Sequence, residues 1–308
     1  MNLPEDIILD ILSRLPVKSL LRFRSVCKPW CALITDPYFV QMHLSRSLAI
    51  NTNLILILRK YPKFFYVDLD VCQQEAAVEL DCPFKSPKGY LIFASSNGLV
   101  CMFDDDGVVC DSQKYKVYHT FLWNPSTETH KKLPFTPIEV PVNARFAYVA
   151  GYGFGYDPTT DDYKVIRVIR FYNAGDNGYY LIPEVKVYSL STNSWRRIED
   201  IPFLDTQHRL GVFVNSAFHW IAVCKTGQMG LGIVSIDVKD DVCREVPLPD
   251  SVDDKFYMVI GVLGGKLSML CNFTRVCVEL WLMKDYGVKD SWEKQFSIEQ
   301  QSVLGYFD

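Results

Sequence analysis

Apolar positions recur with a helical period over the first 45 residues and with the shorter period of strands from about residue 50 onward. Ile7, Ile8, Ile11, Leu12 and Leu15 fall on one stripe, with Asp6, Asp10, Ser13 and Arg14 on the opposite side. Leu3-Pro4-Glu5-Asp6 opens this helix, because proline is tolerated in a first turn and the two acids favour the positive end of the helix dipole. Pro16 stops it. A second short helix is predicted from Ser19 to Val26 and a third around Trp30 to Ile34. Asp36-Pro37 reads as a cap followed by proline at the first helical position, starting a fourth helix through Tyr38, Phe39, Met42 and Leu44. So few short helices cannot by themselves remove this much aliphatic surface from water, so the stripe is expected to meet the helices of a partner. Phe23, Val26 and Trp30 are read as internal packing.

The remaining chain repeats a unit: a small-residue turn into an apolar strand, a later strand centred on an aromatic or aliphatic residue, a polar turn, and an apolar residue followed by proline. One copy runs from Ser96-Asn97-Gly98-Leu99 through Trp123 to Leu133-Pro134, the next from Gly151 through Tyr188 to Ile201-Pro202. A third spans Asn215-Ser216-Ala217, Ile236 and Leu248-Pro249, a fourth spans Leu263-Gly264-Gly265, Trp281 and Trp292, and a degenerate early copy covers Leu54 to Pro83. The closing prolines at 83, 134, 202 and 249 are 51, 68 and 47 residues apart, close to the period of kelch-type propeller blades with one insertion. Such units stack because a lone four-stranded sheet cannot bury both faces. The expected class is therefore α+β and multidomain: a helical segment over 1–47, then an all-β domain over 48–308. That domain is predicted to be propeller-like, with Trp123, Tyr188, Ile236 and Trp281 at equivalent positions; a β-sandwich is the alternative.

Composition narrows the function more than the fold. Apolar residues make up 49% and aromatics 14%, which fits a packed, strand-rich chain rather than a disordered one. The net charge of -4 leaves no basic footprint, so nucleic acid is not expected as a partner. The acidic start argues against a secretory signal, and apolar runs such as Leu54 to Leu58 are strand-sized, so no membrane association is expected. Ten cysteines occur without a C-x-x-C pair, which points to reduced thiols and a cytoplasmic or nuclear setting.

Candidate chemistry is sparse, and neither cofactor nor metal is expected. Gly151-x-Gly153-x-Gly155 imitates a nucleotide loop, yet it leads into the turn Asp157-Pro158-Thr159-Thr160 and another strand, so it is read as strand packing. Asp104 to Asp106 lacks the spacing of a calcium loop and reads as a hairpin tip; Cys27 and Cys31 have no second pair to complete a metal site. His219 beside Trp220 is assigned to packing. The insertion at 171–182 and the segment Val142 to Tyr148 are more suggestive. If they approach one another, Arg145, Tyr148, Tyr179 and Tyr180 share a patch of the residue types enriched at binding hot spots, a candidate target-binding site.

The run LPEDIILDILSRLPVKSLLRFRSVCKPWCALITDPYFVQMHLSRS resembles the plant F-box from end to end. The segments SSNGLVC, LWNPST, GFGYDPTTDDYKV, VYSLSTNSWR, IVSIDV and ELWLMKDYGVKDSW resemble the F-box-associated, kelch-like domain of S-locus-F-box-like proteins. The resemblance implies a non-catalytic substrate receptor of an SCF ubiquitin ligase. Its F-box would dock a Skp-type adaptor, and through it cullin and RING subunits, while the β domain holds a protein target for ubiquitination. Carried over by position, the adaptor contacts are Leu3, Pro4, Ile8, Ile11, Leu12, Leu15, Pro16 and Leu20. Two departures stand out: Asn215-Ser216 replaces the usual Asn-Gly turn, and the chain stops at Asp308 where such relatives continue, leaving closure of the ring open. A scaffold outside the ligase, or a decoy that competes for the adaptor, is the alternative role.

Overall fold

A computed structural model describes residues 4–50, 52, 54–69, 77–86, 88–104, 115–173, 182–199, 201, 210–223, 231–249, 257–273 and 276–299, with backbone alone at 108–110, 115–117, 179–180 and 205–206. The chain divides into two compact units: residues 1–92, 97–106 and 120–132 form one, and residues 93–96, 107–119 and 133–308 the other.

The first unit opens with helices α1 (Glu5–Ser13), α2 (Val17–Phe23), α3 (Lys28–Thr35) and α4 (Pro37–Ile50). Asp36 caps α4 as expected, its Oδ1 accepting the Tyr38 amide at 2.8 Å and the Phe39 amide at 3.4 Å. Leu12, Leu20, Ile34 and Phe39 form the helical core, and Phe23 and Trp30 pack against it, edge to face with each other at 5.7 Å between ring centres. Val26 departs from its predicted packing role, because α2 ends at Phe23 and leaves it on an exposed turn. A three-stranded sheet A follows, with β1 (Ile55–Lys60), β2 (Lys63–Asp68) and β3 (Val78–Leu80). Sheet B runs through β4 (Tyr90–Ser96) and β5 (Leu99–Asp104), then past a hairpin of β6 (Val108–Cys110) and β7 (Tyr115–Val117), to β8 (Thr120–Asn124) and β9 (Thr129–Lys132). Phe64 of sheet A and Tyr90, Val100, Met102, Phe121 and Trp123 of sheet B share one core.

The second unit holds three further four-stranded meanders. Sheet C is β10 (Phe146–Asp157), β11 (Asp162–Asn173), β13 (Glu184–Ser189) and β14 (Ser194–Ile198), with the short β12 (Tyr179–Tyr180) beside β11. After the short β15 (Asp205–Thr206), sheet D is β16 (Leu210–Val214), β17 (Ala217–Val223), β18 (Leu231–Asp237) and β19 (Cys243–Val246). Sheet E is β20 (Tyr257–Leu263), β21 (Lys266–Phe273), β22 (Cys277–Met283) and β23 (Trp292–Glu299). Sheets C and D join edge to edge through the parallel pairs Tyr152↔Leu210 and Gly153↔Gly211.

Sheet D lies between its neighbours. Phe218, Trp220, Val234 and Ile236 pack onto Ile166, Val168, Val185 and Val187 of sheet C, while Val214, Ile221, Ile233 and Val246 pack onto Leu267, Met269, Trp281 and Trp292 of sheet E. Burial of both faces explains why AFHWIAV reads as a continuous apolar run rather than an alternation. This succession of stacked meanders is propeller-like and differs from a two-sheet sandwich. Trp123, Tyr188, Ile236 and Trp281 all occupy the third strand of their sheets and are all buried, the equivalence expected from the repeat. In sheets B, D and E the copies read from sequence begin at the first hairpin, so β4, β16 and β20 fall outside them, whereas the copy for sheet C begins within β10.

The turns repeat as faithfully as the strands. Asn124, Asp157 and Asp237 each accept a backbone amide two residues on, and the fifth residue of each turn takes a positive φ: Glu128, Asp161 and Asp241. Asn215 and Ser216 occupy the two positive-φ positions taken by Asn97 and Gly98 in sheet B. Ser216 tolerates this because its Oγ donates to the buried Asp157 carboxylate at 2.7 Å.

Candidate functional site

Two surfaces correspond to the contacts predicted from sequence. The first is the outer side of α1. Ile7 and Ile11 are four residues apart on the helix and are 46% and 47% exposed, with exposed Pro4 at the helix start and Pro16 beyond its end. Ile8 and Leu15 are half-buried against the helical core, whereas Leu12 and Leu20 lie inside it at 1% and 5% exposure. Leu3 lies outside the described residues. The periodic stripe is thus divided: one flank holds the helices together and the other forms an apolar ridge. Ile7 belongs to that ridge although it was absent from the expected contacts; its signal was its i, i+4 spacing from Ile11.

The ridge is held firmly. Asp10 accepts from Arg14 at 3.0 Å and from Arg46 of α4 at 3.1 Å, and the Arg14 hydrogen bond is the main cause of a carboxyl pKa below its usual value. Arg46 also donates to Ser13 Oγ at 3.2 Å, and His43 Nε2 lies 2.8 Å from the Leu15 carbonyl oxygen. On the other side Lys18 donates to Tyr66 Oη at 2.7 Å and sits over its ring, tying α2 to sheet A. Fixing these helices in advance lowers the entropy lost when a partner covers the ridge.

The second surface is one end of sheet C. Arg145 is exposed, and its amide donates to the Tyr172 carbonyl at 2.9 Å. Phe146 pairs with Tyr172, which pairs with Tyr180, and Tyr148 pairs with Arg170, whose guanidinium lies 5.7 Å from the Tyr148 ring centre. The backbone therefore brings the segments holding Arg145, Tyr148, Tyr179 and Tyr180 onto adjacent strands; the Tyr179 and Tyr180 side chains lie outside the described part. Phe146, exposed between Arg145 and Tyr148, was not among the expected contacts, which were chosen for arginine and tyrosine.

Beneath this end, residues 134–139 are strapped to the sheet by groups hidden from solvent. Arg167 donates to the Thr136 carbonyl at 3.0 Å and to Glu184 at 3.0 Å, Lys186 donates to the Pro137 carbonyl at 2.9 Å, and Glu184 accepts the Glu139 amide at 2.7 Å. Hydrogen bonds from Lys186 and Arg197 hold the Glu139 carboxyl below its usual pKa. Each buried charge has an opposite partner, the condition under which such groups can be hidden.

The remaining candidates resolve as packing. Gly151, Gly153 and Gly155 form a floor for rings of sheet D, with an added Cβ at 153 lying 2.4 Å from Phe218. His219 is buried, its Nε2 lies 2.8 Å from Tyr286 Oη, and burial lowers its pKa to about 4. Among the described residues, no cluster of three or more His, Cys, Asp or Glu is placed to hold a metal. No helix among the described residues is long and apolar enough to cross a membrane. Of the Asp104 to Asp106 run, only Asp104 is described.

Comparison with known proteins decides the family. The sequence profile of the F-box domain matches residues 1–42, and that of the F-box associated beta propeller domain matches residues 54–307. The chain belongs to the F-box family. It is similar to F-box protein CPR1 of Arabidopsis thaliana, with 33% identity over 99% of this chain and 75% of that protein. F-box protein At4g22390 and F-box/kelch-repeat protein At3g23880, also from Arabidopsis thaliana, are each 29% identical over 96% of this chain, covering 73% and 79% of those proteins. Members of the F-box family are typically non-catalytic adaptors. The α1 ridge lies within the F-box and the sheet C end within the associated domain.

Proposed function

We propose that this F-box protein is a substrate receptor of an SCF-type ubiquitin ligase, acting in the cytoplasm or nucleus. The observation that carries the reading is the rigid, solvent-facing ridge of Pro4, Ile7, Ile11 and Pro16, which suits the apolar helices of a Skp-type adaptor. The half-buried Ile8 and Leu15 would border that contact, and Leu12 and Leu20 would support it from inside. Cullin and RING subunits would then be recruited through the adaptor, and the β domain would present a protein target. Ubiquitin transfer follows from proximity, because a target lysine is held near the charged conjugating enzyme and this chain supplies no reacting group.

Target contact is assigned to the sheet C end around Arg145, Phe146, Tyr148, Tyr179 and Tyr180. Arginine and tyrosine combine large contact area with few torsions to freeze, and the strap beneath keeps their strands in place. The test is co-purification with a Skp-type adaptor and cullin, comparing the native chain with Ile7→Asp/Ile11→Asp. Loss of both partners in the variant, with an unchanged melting profile, is expected. Retention of adaptor by the variant would refute the ridge, whereas adaptor binding without cullin in the native chain would assign the scaffold or decoy role instead. In cells, Tyr148→Ala and Tyr179→Ser/Tyr180→Ser are expected to slow target turnover while adaptor binding persists.

A further inference from the structure

The hairpin tip between β1 and β2 meets the connection from β3 to β4, and a cavity of about 430 Å3, open to solvent, lies between them. Every residue that lines it belongs to the first unit. Pro62 bounds it from the tip, and Cys82, Phe84, Lys85, Ser86 and Tyr90 bound it from the connection and the start of β4. A tight turn brings the two sides together: the Gly89 amide donates to the Ser86 carbonyl at 3.1 Å, and a Cβ added at Gly89 would lie 3.5 Å from Pro62 Cβ. The aromatic wall is fixed from behind. Between ring centres Phe84 lies 4.5 Å from Phe121, 5.8 Å from Tyr90 and 5.2 Å from His130, the last edge to face. Phe84 and Cys82 also pack against the core shared by sheets A and B, so the wall is in place before a ligand arrives.

Charge around the cavity is mainly of one sign. Residues 59–63 and 79–90 carry Arg59, Lys60, Lys63, Lys85 and Lys88 against Glu79 and Asp81, on a chain whose net charge is -4. Lys63 is paired with Glu79 at 2.8 Å, and the Arg59 guanidinium lies 5.4 Å from the Tyr61 ring centre. Lys85, which lines the cavity, has no hydrogen bond or ion pair among the described residues. We infer that this cavity binds a small aromatic carboxylic acid, with its ring against Pro62, Phe84 and Tyr90 and its carboxylate beside Lys85. The volume falls within the range of about 300–1,000 Å3 usual for small-molecule sites, which are mostly apolar with a few polar groups. Aromatic walls favour a planar ring, and the unpaired ammonium together with the local excess of cations selects an anion. Burial raises the Cys82 thiol above its usual pKa, so the sulfur serves as a neutral part of the wall and binding is non-covalent. The site shares no residue with the α1 ridge or the sheet C end.

The experiment uses the full chain and two probes of similar shape, naphthoate and the neutral naphthalenemethanol, followed by ligand-observed NMR and by N-ethylmaleimide footprinting read by mass spectrometry. Naphthoate is expected to bind saturably, about threefold or more tighter than the alcohol, and to slow alkylation of Cys82 while leaving that of the exposed Cys27 unchanged. Lys85→Met keeps the apolar stem and removes the charge. It should weaken naphthoate about threefold or more, leave the alcohol within about twofold, and leave the melting temperature unchanged because Lys85 is exposed. Absence of Cys82 protection would overturn the inference, as would equal affinities for acid and alcohol, or a Lys85→Met chain that holds naphthoate as tightly as the native one. Equal protection of Cys27 would show unspecific partition onto apolar surface and overturn it as well.

Discussion

Replacing Gly153 by alanine tests how the second unit is built. An alanine Cβ there would lie 2.4 and 2.8 Å from two carbons of the Phe218 ring and 3.0 Å from Ile166 Cγ2. Unstrained carbon contacts need about 3.5–4.0 Å, so something must move by about an ångström. Phe218 has little room, being fully buried with Phe213 at 4.6 Å and Trp220 at 6.1 Å between ring centres. Overpacking of this kind costs about 1–3 kcal/mol, against about 0.4–1 kcal/mol returned by the lower entropy of the unfolded chain. A net loss of roughly 1–2 kcal/mol lowers Tm by several degrees. Thermal and urea unfolding of Gly153→Ala measures it, with Gly261→Ala as a control whose Cβ meets no carbon. Phe218→Leu in the same chain should recover part of the loss, so that the double variant is more stable than the sum of the singles requires. A Gly153→Ala protein as stable as the native one, or strict additivity, would refute the packing role; so would stabilisation of the native chain by added nucleotide.

Ile11→Asp should abolish adaptor binding without unfolding the helices, whereas Leu12→Asp should destabilise them by several kcal/mol, because it buries an unpaired carboxylate; circular dichroism with adaptor pull-down separates the two. Stability should fall as pH drops from 6.5 towards 4, because the unfolded His219 takes up a proton that the buried folded one, with its pKa near 4, refuses; the loss approaches roughly 3 kcal/mol. Urea titrations should show a shallower fall for His219→Gln, and the lowered Asp157 and Asp162 pKa values act only below that window. Ser216→Ala should cost about 1–3 kcal/mol by removing a hydrogen bond to a buried carboxylate, while Ser216→Gly, which also relieves the positive φ, should cost less; melting curves give the ranking. Trp281→Ala should lose about 3–5 kcal/mol, since the ring fills the core between sheets D and E and its Nε1 donates to Glu279; an unchanged Tm would contradict that placement.

The pattern along the chain determined most of the local structure. Helical periodicity up to Leu15, the Asp36-Pro37 cap and the recurring small-residue turns are consequences of steric and hydrogen-bonding rules that act within a few residues, so they could be read without coordinates. The repeat also placed Trp123, Tyr188, Ile236 and Trp281 on equivalent strands, because a unit that must stack on its neighbours returns the same residue type at the same place. Tertiary structure decided which side of each apolar element meets the core. Nothing within α1 distinguishes Leu12, which is buried, from Ile11, which is exposed, until α4 packs across one flank and Arg46 reaches Asp10. The strap of Arg167, Glu184 and Lys186 was equally hidden, since it joins residues 17 to 49 positions apart through backbone carbonyls that no side-chain pattern records. Burial depends on what lies opposite a side chain, and that is settled by contacts between segments far apart in the chain.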